Sequence, residues 1–221
     1  LELNEKNLMI LARGITGFFN PLWLPTIGVT LLFLFSYLKI MPLSYKFLIV
    51  VTVFCFTIMM PYTCIFFYRR LNGWSLRELS NRENRVVPYL LSILSYVFCL
   101  VLLYNFRVPG YMTGILVAAI MAMLLCTLMN MFWKVSGHMT SVGGVVGGLA
   151  CFGELFAFNP IWWICLALFL GGIVGSSRMI LRQHTLSQVL LSVPVGFLCA
   201  FVGIFFGQFI IDYIYYIIAL R

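Results

Sequence analysis

Charge is what this sequence has least of. Only 9% of its 221 residues are charged, with 14 lysines and arginines against six aspartates and glutamates, and it holds two histidines. A soluble domain carries about a quarter of its residues as charges and is apolar over about half its length. Here 63% are hydrophobic and the mean hydropathy is +1.06, so a soluble globular domain is excluded. Short segments alternating polar with apolar residues are also missing, which excludes a membrane β-barrel. The seven cysteines form no C-x-x-C pair and all fall inside apolar runs, where a thiol is a small buried hydrophobe. They predict neither a disulfide framework nor a metal site. Residues 1–13 are too polar for a cleavable signal, and no soluble domain or linker interrupts the chain.

What remains is a succession of long apolar runs. A helix needs about 20 such residues to cross a hydrocarbon layer about 30 Å thick. Candidate spans lie near 21–38, 46–68, 88–105, 110–132, 139–158, 160–176 and 188–211. The first has room to start earlier and the last to run on into "DYIYYIIALR". The fold class expected is an all-α bundle of six to seven transmembrane helices, read as one domain over 1–221 with its polar motifs within about 69–211. "FNPLW" and "FNPIW" read as helix starts, with Asn as N-cap, Pro in the first turn and Trp at the interface. "SVGGVVGG" at 141–148 reads as a close helix–helix contact. Glu154 is expected to reach the interface at the end of its span.

The formal charge of +8 would suggest nucleic acid in a soluble protein. Here the cations sit in short connections, where topology and anionic headgroups account for them and no nucleic-acid partner is expected. Two spans separate the connection at 69–87 from that at 133–138, and two more separate the latter from 177–187. An even number of crossings returns the chain to the same face, so these three polar connections share one end of the bundle.

Each carries a pattern that admits both a plain and a chemical reading. In "WKVSGHMTS", Ser136 reads as the N-cap of the next helix, with Gly137 and His138 in its first turn. Backbone N–H groups at a helix start receive phosphate oxygens, and glycine permits close approach. In "GSSRMILRQHTLSQV", Arg178 and Arg182 are one turn apart, and His184 is four residues before Gln188, whose amide oxygen suits the second ring N–H. In "LRELSNRENRVVPY", Arg82 and Arg85 precede Pro88. Singly, these read equally as a capped helix, a basic loop and positive-inside charge.

Their order resembles the type 2 phosphatidic acid phosphatase superfamily, in particular its bacterial membrane branch. The matching residues are Arg85 with Pro88, then Ser136-Gly137-His138, then Ser177-Arg178 followed by His184. The resemblance implies a metal-independent lipid phosphatase without a cofactor. In it His184 attacks phosphorus to form a phosphohistidine, and His138 protonates the leaving alkoxide and then activates water. Arg178 and Arg85 clamp the phosphoryl oxygens, with the N–H groups of Ser136 and Gly137, while Arg82 and Ser177 belong to the substrate-binding set. The partners implied are a membrane lipid phosphate and the bilayer, with the site in the bacterial cytoplasmic membrane and facing outward.

Three departures stand out. Gln188 occupies the place of the family's usual Asp, Val135 that of a proline, and Glu78 that of the first-motif lysine. Gln188 retains the capacity to orient an imidazole but brings no charge. A phosphotransferase using the same site, and a non-catalytic lipid-phosphate binder or transporter, are the rival expectations.

Overall fold

The computed structural model describes residues 2–73 and 86–219, and among these every regular element is helical. In chain order the helices are α1 (Glu2–Phe18), α2 (Leu24–Phe35), α3 (Leu43–Phe54), α4 (Met60–Leu71), α5 (Val86–Asn105), α6 (Gly110–Phe132), α7 (Gly137–Phe156), α8 (Ile161–Ile180) and α9 (Leu186–Ala219). Seven segments are long and apolar enough to cross a membrane: Lys6–Phe35, Leu43–Leu71, Val86–Asn105, Gly110–Phe132, Gly137–Phe156, Ile161–Ile180 and Leu186–Gly207. The chain is an integral membrane helix bundle.

The first of these segments corrects the expected start near 21. It opens at Lys6, and α1 is joined to α2 through a 3₁₀ turn at Pro21–Trp23, where the Asn20 side chain caps Leu22 N–H at 3.1 Å. The second segment is interrupted by a π-helical turn at Cys55–Met59. Pro61, which follows it, has no N–H for the carbonyl of Thr57 four residues back. Tyr96 Oη reaches that carbonyl at 3.4 Å, and Ser95 Oγ donates to the carbonyl of Phe56. Side chains of α5 thus satisfy backbone groups that hydrocarbon leaves without water.

Two regions hold the bundle together. One is apolar: Val29, Leu32 and Phe33 of α2 meet Ile49, Val53, Tyr96, Leu103, Met112 and Leu116 in a buried cluster. The other is backbone on backbone. A Cβ on Gly143 of α7 would collide with the carbonyl of Val193 on α9, and one on Gly196 with the carbonyl of Thr140. On the other flank, a Cβ on Gly203 would meet the backbone of Ala118 in α6. Glycines therefore seat α9 between α6 and α7, the close contact that "SVGGVVGG" announced. Glu154 is exposed near the end of α7.

Candidate functional site

The starts of α5, α7 and α9 converge at one end of the bundle, as the count of crossings required. A Cβ on Gly137 would lie 3.2 Å from Tyr89 Oη, which places the first turn of α5 against the S-G-H segment. Ser136 N–H donates to Ser192 Oγ at 2.9 Å, and that hydroxyl donates in turn to the carbonyl of Gln188. On the other side of the short α6–α7 connection, Val135 N–H donates to Asn130 Oδ1 at 3.1 Å. Bonds to two different helices thereby fix the backbone just beyond Lys134.

α8 ends with the hydrogen bonds of a Schellman motif: Gln183 N–H reaches the Arg178 carbonyl at 3.1 Å and Arg182 N–H that of Met179 at 2.9 Å. The left-handed position belongs to Arg182, with φ of 52°. That geometry corrects the expectation that Arg178 and Arg182 share a helix face. Arg178 lies in the last turn of α8, with Nε buried, whereas Arg182 stands beyond the helix.

α9 opens with half of a capping box in T-L-S-Q. Gln188, in its first turn, returns its Oε1 to accept Thr185 N–H at 3.2 Å. The same oxygen lies 3.3 Å from His184 Nδ1. A backbone N–H only donates, so it identifies the amide atom as oxygen, and Nδ1 must then carry the hydrogen. In the neutral ring the lone pair falls on Nε2, which is buried, and His184 as a whole is 6% exposed. One residue thus caps a helix and sets a tautomer.

His184, Gln188, Thr185 and Arg182 line a cavity of about 410 Å³ together with Lys134, Met179 and Gln183. Its wall carries a lysine and an arginine and, among the described residues, no acid. Lys134 went unnoticed as a cavity residue in the sequence, and Tyr89 as the side chain set against Gly137. An interfacial lysine reads as a topology signal, and nothing in "VVPY" distinguishes its tyrosine from an interface anchor.

The other expected residues lie elsewhere. His138, in the first turn of α7, does not line this cavity; its Nε2 is 3.1 Å from the carbonyl of Thr16 on α1. A carbonyl only accepts, so this nitrogen bears hydrogen. Ser136 is the N-cap residue of α7 by position, yet its side chain makes no capping bond and is fully buried. Its N–H is taken by Ser192, which corrects the expectation that it meets a phosphate oxygen. Gly137 keeps its expected place in the first turn, beside Tyr89. Ser177 Oγ donates to its own helix at the Ile173 carbonyl, 2.8 Å away, and the residue borders a groove beneath α1 instead of the His184 cavity. Arg82 and Arg85 lie outside the described residues, as do Arg77 and Glu78. Among the described residues no three His, Cys, Asp or Glu side chains gather as a metal site requires.

Compared with known proteins, the chain matches no family model, no curated protein and no solved structure. The chemistry therefore rests on the geometry of this end of the bundle.

Proposed function

We propose that the protein is a lipid phosphate phosphatase of the cytoplasmic membrane, working through a phosphohistidine with its site on the outer face. The observation that carries the reading is the tautomer imposed on His184 in a cavity walled by Lys134 and Arg182. An imidazole with its lone pair on a defined nitrogen, beside a lysine and an arginine, suits attack on phosphorus once the substrate uncovers Nε2, which is buried here. The resemblance in motif order supports the same assignment and adds His138, Arg178 and Arg85.

In this reading His184 Nε2 attacks the phosphorus of a lipid phosphate, and the bond from phosphorus to the lipid oxygen breaks. By the motif resemblance that oxygen leaves with a proton from the His138 imidazolium. His138 stands outside the described cavity, so the reading requires the leaving group to extend from the cavity toward the start of α7. Water then attacks phosphorus, the nitrogen–phosphorus bond breaks, a water proton passes to His138, and phosphate departs. Because His138 Nε2–H faces the Thr16 carbonyl, Nδ1 is the nitrogen that exchanges protons. Thr16 then orients His138 as Gln188 orients His184.

The deciding experiment is phosphate release by the purified protein from a panel of lipid phosphomonoesters and diphosphates. The expected outcome is release without added divalent metal, inhibition by vanadate, and an acid-labile phosphate on His184 after rapid quench. Lack of both phosphate release and phosphoenzyme across the panel overturns the reading. Transfer of the phosphoryl group to a lipid hydroxyl instead of water would identify a phosphotransferase.

A further inference from the structure

The same end of α8 borders a second space. A groove of about 510 Å³ runs between α1 and α8, walled by Leu8, Leu11 and Ile15 on one side and by Phe169, Gly172 and Ile173 on the other. Its lining extends along α8 from Leu168 to Ile180, about 18 Å at the rise of an α-helix. That is more than half of a hydrocarbon layer about 30 Å thick. Leu8, Leu11 and Phe169 are exposed, so the groove opens sideways to what surrounds the bundle, which for a membrane span is lipid. Nothing fills its floor at Gly172, where a Cβ would meet no atom within 4 Å.

The groove and the His184 cavity are consecutive along the chain. Ser177 and Ile180 border the groove, while Met179 and Arg182 border the cavity. Neighbouring residues at the end of α8 thus border an apolar groove and a cavity that holds Lys134 and Arg182, a pairing that matches one kind of occupant: a molecule with an apolar chain and an anionic head. We propose that the groove seats the hydrocarbon chain of an anionic phospholipid whose headgroup enters the cavity of Lys134, Arg182 and His184. The headgroup assignment rests on the phosphatase reading; the chain assignment rests on the groove alone.

The test uses the full chain in phosphatidylcholine vesicles with phosphatidic acid bearing a diazirine in its acyl chain. Photolysis is expected to label residues 8–15 and 168–177. Unlabelled phosphatidic acid should compete and added phosphatidylcholine should not. Gly172→Trp fills the open floor and should abolish that labelling; Ser176→Leu, exposed on the same wall, serves as the second variant if the first does not insert. In kinetics, Gly172→Trp should raise KM for a long-chain lipid phosphate about tenfold, with the loss confined to long-chain substrates. Labelling spread evenly over the lipid-facing helices, or unchanged by both substitutions, overturns the proposal. Labelling as expected without any phosphate release removes the phosphatase reading and leaves the groove; phosphate release with labelling elsewhere does the reverse.

Discussion

His138 and His184 stand at the starts of neighbouring helices, and each has one ring nitrogen facing a main-chain or amide oxygen, but the two are held by opposite nitrogens. His184 is gripped through Nδ1 by an oxygen from its own helix's first turn, a contact four residues long. His138 is gripped through Nε2 by the carbonyl of Thr16, 122 residues away on α1. The first arrangement is local and forms whenever α9 forms. The second exists only when α1 is docked. An orientation that depends on a distant element is the more easily lost, so the ring assigned to proton transfer is the one whose posture the tertiary fold controls.

Several substitutions break or sharpen this contrast. The largest effect is expected from His184→Asn, which removes the proposed nucleophile; turnover should fall by roughly 10⁴-fold or more, measured as phosphate release. His138→Asn should fall by about 10²- to 10⁴-fold on a lipid substrate, and much less on an aryl phosphate whose leaving group departs without a proton. Equal losses on both substrates would erase the distinction between nucleophile and acid. Gln188→Leu removes the shared acceptor, and a loss of about 10- to 100-fold is expected, on the scale of other partners that orient a functional imidazole. Gln188→Glu keeps an acceptor oxygen for both donors and should retain more. ¹⁵N chemical shifts of the neutral rings should report Nδ1–H for His184 and Nε2–H for His138; the same tautomer in both would refute the comparison.

The smallest effect concerns Arg182. A non-glycine residue in the left-handed region costs about 1 kcal/mol, and glycine is the usual occupant of that position in a Schellman motif. Arg182→Gly should therefore raise thermal stability in detergent by about that amount while lowering activity. Ala157, at φ of 51° in the corresponding place after α7, provides the control. Ala157→Gly should give the same stabilisation with activity unchanged. If Arg182→Gly leaves activity intact, the arginine has no part in the site.

The seven spans were legible because hydrocarbon demands long uninterrupted runs, and parity alone brought the polar connections to one end. The His184–Gln188 pair was legible because four residues is one helical turn. Arg182 was misread for the same reason: helical spacing placed it over Arg178, and no glycine announced that α8 stops at Ile180. The Thr16 contact had no signal at all, since any residue supplies a carbonyl. Lys134 is written in the sequence beside S-G-H, but membrane topology explains an interfacial cation so readily that its place on the cavity emerged only from the fold.

The glycine seam between α7 and α9 makes this end of the bundle vulnerable from within. Gln188 and Ser192 lie on the same rod as Gly196, which rests on the main chain of Thr140. One methyl group at 196 wedges the two helices apart and withdraws the hydroxyl that secures Ser136, while His184 and Gln188 move together with their own helix. A lesion eight residues along the helix from Gln188 would thus carry the His184–Gln188 pair as a unit away from the S-G-H segment, without altering any atom of the cavity wall.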